Sequence, residues 1–223
     1  MRKIFIAKDD LDSKIIGRSF PQIVGSDCKP LFDENEKYNE EDKFLSIPAD
    51  GYSVKISKSV KLTDSLSSFM TCHSSILSEK LIDLLMKFNT PEFKAIPIKI
   101  FRIKELVIEK RYYIAHFIGD EVLNVDFEKS TFDYYTGGAG IVLDRSILQF
   151  KDYGDFLKKG RTDRRIDMSK IKNVVMLPSL KNDLIFMNAL RVVRMLVTEN
   201  LRDAMLQEKI TGFRFLETGY VED

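Results

Sequence analysis

Residues 196–223 read LVTENLRDAMLQEKITGFRFLETGYVED, and this stretch decides the fold. Thr198 is a hydroxyl residue where a helix begins, suited to accept a backbone N–H bond. Glu199 follows where the helix dipole favours an anion. Leu201 and Met205 continue an apolar stripe, and a turn at Gly212 leads into a short apolar strand. The same grammar stands at residues 76–93, ILSEKLIDLLMKFNTPEF. Ser78 matches Thr198, Glu79 matches Glu199, Leu81 matches Leu201, Asp83 matches Asp203 and Phe93 matches Phe213, at a constant shift of 120 residues. Two explanations stay open. The recurrence is generic helix-start grammar, or it is a duplicated block whose helix lies on the sheet its following strand joins. Neither supplies chemistry.

Working outward, Ser78–Phe88 is expected to be a helix with Ser78 as its cap and Leu81, Leu84, Leu85 and Phe88 on one face. Pro91 marks the break after it. FKAIPIKIFRIKELVI (93–108) reads as extended. KRYYIAHFI (110–118) is rich in aromatic and branched residues and reads as a central strand. STFDYY and GIVLD read as strands around Thr136–Gly140, and KNVVMLP and DLIFM add strand material. ALRVVRMLV is ambiguous between helix and strand. Met1–Lys8 reads as an opening strand. The rest of residues 1–70 is an irregular, short-strand part broken by Gly17, Pro21, Gly25 and Pro30. Tyr153–Lys170 reads as a polar, basic stretch.

The chain has 223 residues, 44% hydrophobic, enough for one large α+β domain that buries its own core. Its 35 basic and 34 acidic side chains leave a formal charge of +1, so nothing global draws it to nucleic acid or anionic lipid. Cys28 and Cys72 form no CxxC pair and read as reduced, buried thiols. No apolar run approaches the length of a membrane span, and the start resembles no secretory signal. The expectation is a soluble, cytoplasmic protein.

A search for catalytic patterns yields no site. His73 lies beside Cys72, where strand neighbours point to opposite faces. His116 lies within an apolar strand and reads as a satisfied sheet histidine. TGGAG (136–140) has Leu143 where a dinucleotide fingerprint needs its third glycine, and it leads into strand. It therefore reads as a flexible turn. No catalytic residue, metal ligand or cofactor is assigned.

Two charged stretches remain. DENEKYNEED (33–42) carries Asp33, Glu34, Glu36, Glu40, Glu41 and Asp42 around Tyr38, against Lys37 alone. It is a solvated loop or a negative patch that docks on a basic partner, where such patches mainly speed encounter. KKGRTDRR (158–165) is its basic mirror.

The terminal segment resembles the closing signature of the Imm11 immunity-protein family, through Thr198, Glu199, Leu201, Ile210, Gly212 and Phe215. RYYIAHFIGDEVLNVDFEKSTFDYY (111–135) is similar to that family's middle region, with Val125, Asp126, Glu128, Lys129 and Ser130 at its turn. The resemblance spans about Leu77 to Leu216. It implies a bacterial polymorphic-toxin immunity protein that binds and neutralises a cognate toxin, with its gene beside the toxin gene. Asp33, Glu34, Glu36, Tyr38, Glu40, Glu41 and Asp42 are the partner-binding candidates. The expected fold is a single α+β domain over residues 1–223, with a mixed, mostly antiparallel sheet, covering helices and a family-like core from residue 71. The rivals are an enzyme that reverses a toxin's modification and an interaction module without a toxin.

Overall fold

A computed structural model describes residues 1–26, 51–67, 74–102, 105–119, 121–138, 141–162, 171–187 and 195–222. The described strands form two mixed sheets. The six-stranded sheet is ordered β4 (Ser65–Leu66), β5 (Ser74–Ser78), β7 (Glu105–Phe117), β6 (Phe93–Arg102), β3 (Tyr52–Ile56) and β2 (Ile23–Ser26). The seven-stranded sheet is ordered β11 (Leu184–Ile185), β12 (Met195–Thr198), β1 (Arg2–Asp9), β13 (Phe213–Val221), β10 (Ile171–Met176), β8 (Thr131–Gly138) and β9 (Ile141–Leu148). Pairing is mostly antiparallel, with β3–β6 and β10–β13 parallel. The helices are α1 (Ser13–Ile16), α2 (Glu79–Leu85), α3 (Tyr153–Thr162) and α4 (Glu199–Gln207), with a 3-10 turn at Glu121–Asn124. The architecture is α+β with mixed sheets, as the sequence implies.

The two sheets are copies of one plan. Antiparallel partners of β7 are Ser78↔Tyr112, Leu77↔Tyr113, Ile76↔Ile114 and Ser75↔Ala115. Those of β1 are Thr198↔Ile4, Val197↔Phe5, Leu196↔Ile6 and Met195↔Ala7. Every pair in the second set sits 120 positions on from the first in one strand and 108 positions back in the other. On the opposite side, Phe93↔Phe117 through Pro97↔Tyr113 matches Phe213↔Asp9 through Glu217↔Phe5. The 120-residue recurrence is therefore a duplication of structure. Helix α2 packs on β5 and β7, and α4 on β12 and β1, so each helix lies on the sheet its following strand joins.

The halves are interlocked. β2 to β6 build the six-stranded sheet, but its inner strand β7 opens the second half of the chain. β8 to β13 build the seven-stranded sheet, whose inner strand β1 opens the first half. Alternation along β1 explains why this strand must be inner. Ile4 and Ile6 join one cluster with Phe132, Phe156, Val174 and Leu196. Phe5 and Ala7 join another with Leu77, Leu81, Ala115, Phe117, Leu201 and Met205. Both faces of the strand are apolar because both are covered. The second cluster draws on both sheets and on α2 and α4, and Phe117 of β7 stacks on Phe186 at 4.4 Å between ring centroids. A third cluster, with Val54, Ile76, Ile96 and Ile114, lies on the outer face of the six-stranded sheet.

Two local readings change. Tyr153–Lys170 contains helix α3, started by Asp152, whose carboxylate accepts from Asp155 N at 2.8 Å. Phe156 is fully buried among Phe127, Phe132 and Phe150, and this packing outweighs the polar composition. Thr198 does not cap α4 with its hydroxyl, which instead donates to Asp183 Oδ1 at 2.6 Å. Ser78 does cap α2, accepting from Leu81 N at 3.3 Å.

Strand exchange makes each half dependent on the other. We expect the chain cut in the β6–β7 connection to yield two fragments that copurify one to one when coexpressed. Each alone should be unfolded by circular dichroism, because its sheet lacks an inner strand. Independent folding of either fragment would contradict the interlock.

Candidate partner-binding surfaces

The sequence-derived partner residues Asp33, Glu34, Glu36, Tyr38, Glu40, Glu41 and Asp42 lie outside the described residues, as do Cys28, Cys72 and His73. Of the basic stretch, Lys158 and Lys159 lie on the exposed side of α3, and residues 163–165 lie outside. TGGAG falls where β8 and β9 form a hairpin, pairing Gly137 with Val142 and Gly138 with Ile141. His116 is buried in β7 opposite Ser74, with Nδ1 2.8 Å from Ser74 Oγ. It is a satisfied sheet histidine. Among the described residues, no three His, Cys, Asp or Glu side chains gather to hold a metal ion. No described helix is long and apolar enough to cross a membrane.

What the sequence did not show is a pair of buried carboxylates at matching places. Asp64 precedes β4 and Asp183 precedes β11, and both are buried. Ser78 Oγ donates to Asp64 Oδ1 at 2.9 Å, as Thr198 Oγ1 does to Asp183. The backbone repeats the pattern: Ser78 N donates to Asp64 O and Thr198 N to Asp183 O, at 2.8 and 2.9 Å. Each carboxylate also meets a cation from the exchanged strand. Lys110 Nζ lies 3.7 Å from Asp64, and Arg2 Nη1 lies 3.5 Å from Asp183. The halves also cross at their post-helix loops. Thr211 donates its N–H and its hydroxyl to Asp64 Oδ2, at 2.9 and 2.8 Å. Asn89 O accepts from Asp183 N at 2.6 Å. Gly212 permits this approach: its φ is +98°, and a Cβ there would lie 2.3 Å from Ser65 O. These residues are framework; the signal was the Asp preceding each two-residue strand, fourteen or fifteen positions before the hydroxyl.

With the buried polar groups so engaged, the surface is where the halves differ. The turn following each exchanged strand is built by the same bonds. In the first half, Arg18 N donates to Ser59 O and Lys61 N to Ile16 O, at 3.1 and 2.9 Å. In the second, Asp126 N donates to Val175 O and Leu177 N to Asn124 O, at 2.9 and 2.7 Å. Isolated bridges Gly17↔Val60 and Val125↔Met176 complete the match. Around the first turn Leu11, Ile15, Phe20 and Val24 are exposed. Beside the second is a groove of about 290 Å³, lined by Leu123, Phe127, Glu128, Asp152, Tyr153 and Leu177 among others. Phe127 and Tyr153 stack at 6.0 Å along it, and Leu123 projects 73% exposed.

No protein-family model matches the chain, and no curated protein matches it.

Burial of Asp64 pushes its pKa up. The bonds from Thr211 and Ser78 and the Lys110 ammonium more than offset this and hold it below the ordinary 3.8. A carboxylate depressed on folding stabilises above its unfolded value, and that contribution disappears as pH falls through the lowered value. Asp64→Asn should therefore cost about 1–3 kcal/mol near neutrality and flatten the stability–pH curve below about pH 4. Denaturant titrations across pH 2–7 read both, and an unchanged acid limb would remove Asp64 from the account.

Proposed function

We propose that this chain is an immunity protein, a stoichiometric binder that neutralises a cognate toxin domain by covering its active site. The observation that carries the reading is the use of its reactive side chains. Asp64, Asp183 and His116, each buried, are all committed to framework hydrogen bonds. Exposed apolar side chains beside charged ones gather instead at surface turns, which suits protein contact.

The resemblance noted in the sequence supports the same reading. Its residues sit in the scaffold: Thr198 on Asp183, Leu201 and Ile210 in the shared core, and Gly212 in the crossing loop. In the middle region, Val125 bridges to Met176, and Ser130 Oγ accepts from Val175 N at 2.9 Å. A common scaffold with variable turns would let related proteins meet different toxins. Toxin occlusion of this kind buries on the order of 1,600 Å² in total, with a few aromatic or Arg anchors dominating.

Coexpression with the toxin encoded beside its gene should give a one-to-one complex that survives gel filtration. Cells should be protected only when the two proteins are near equimolar. Protection by a chain greatly outnumbered by toxin would instead mean catalysis, and the absence of any complex would leave no toxin partner.

A further inference from the structure

The duplicated scaffold reverses its surface charge at one turn. In the first half the turn after β1 carries Lys14, Ile15, Arg18 and Phe20, with Lys58 and Lys61 on the segment bonded to it. Lys61 Nζ donates to Lys14 O at 2.8 Å, which brings these residues together. Lys14, Arg18, Lys58 and Lys61 are exposed and make no ion pair among the described residues. Asp10 and Asp12, on the same segment, are turned into the start of α1, where they accept from Asp12 N and Lys14 N at 2.9 and 2.8 Å.

The matching residues of the second half are Val122, Leu123, Asp126 and Glu128, with Leu177 in place of Lys61. Together with Asp152 they give the groove three carboxylates; Asp126 is paired with Lys129 Nζ at 3.3 Å, and Glu128 and Asp152 stand exposed, with Lys151 beside them in the lining. Its floor is apolar, with Phe127 buried and stacked on Tyr153. One turn is therefore an apolar projection edged by cations, and its copy is an apolar groove edged by the exposed carboxylates of Glu128 and Asp152. Both sides of a complementary contact exist on the same molecule.

We infer that copies of this chain associate head to tail, with the Ile15–Phe20 turn of one seated in the Leu123–Tyr153 groove of the next. Ile15 and Phe20 contact Leu123 and the aromatic floor, while Lys14, Arg18 and Lys61 face Glu128 and Asp152. The contact joins unlike surfaces, so it propagates into short chains or closes into a ring. It is at the low end of interface sizes and is weak, with Kd on the order of tens of micromolar. Its exposed charges make it salt-sensitive, because the screening length falls from about 30 Å at 0.01 M to about 3 Å at 1 M. The inference does not depend on a toxin partner.

Sedimentation velocity of the full chain over a concentration series, at about 0.01 M and about 0.5 M salt, tests it. Concentration-dependent association at low salt, lost at high salt, is the expected result. Arg18→Glu and Glu128→Arg should each raise Kd at least about tenfold, and the two together in one chain should restore association. Leu123→Ser should weaken association without touching charge. All three positions are solvent-facing, so circular dichroism should be unchanged. A chain that stays monomeric at low salt would overturn the inference, as would association indifferent to these substitutions or not restored by the charge exchange.

Discussion

The structure depends on β1 being held between β12 and β13. Here residues 2–9 supply an inner strand of the seven-stranded sheet, apolar on both faces, and Arg2 anchors them to the buried Asp183. The second half returns the same service, with β7 in the six-stranded sheet and Lys110 on Asp64. Neither sheet is complete without the other half. The cost of bringing residue 2 to residue 221 grows only slowly with loop length, whereas the area buried on both faces of the strand is large.

Much of the scaffold was legible because its signals are local. The stripe of Leu81, Leu84 and Leu85, the Ser78 cap and the aromatic run of β7 all act within a few residues. The constant shift between Ser78 and Thr198 already carried the duplication, although generic helix grammar explained it equally well. What separated the two explanations is non-local. The matching registers of β1 and β7 pair residues from opposite halves of the chain, and no window along the sequence contains both partners. Asp64 and Asp183 were illegible for the same reason, since their meaning comes from Thr211, Lys110 and Arg2. Thr198 illustrates a competition: its hydroxyl could satisfy a helix N–H or a buried carboxylate, and the carboxylate took it. Helix α3 was obscured by its polar composition, because one fully buried Phe156 outweighs several exposed lysines.

For function, the sequence pointed to the loop at Asp33–Asp42, while the described structure directs attention to a pair of equivalent turns. Duplication preserves a framework and leaves surfaces to diverge. Arg18 and Asp126 occupy one backbone position and carry opposite charge; Phe20 and Glu128 exchange an apolar tip for an anion. A scaffold held by buried bonds such as those of Asp64 and Asp183 can change such surface positions with little effect on stability. That separation suits a molecule whose work is recognition by shape and charge.

Native-state hydrogen exchange of the β1 amides tests the interlock most directly, because it reports the free energy of opening strand by strand. The account predicts that Ile4 to Ala7 exchange only through global unfolding, with the same opening free energy as Tyr112 to Ala115 in β7. Exchange of the β1 amides by a local opening well below the global value would contradict it, and β1 would then not hold the seven-stranded sheet together.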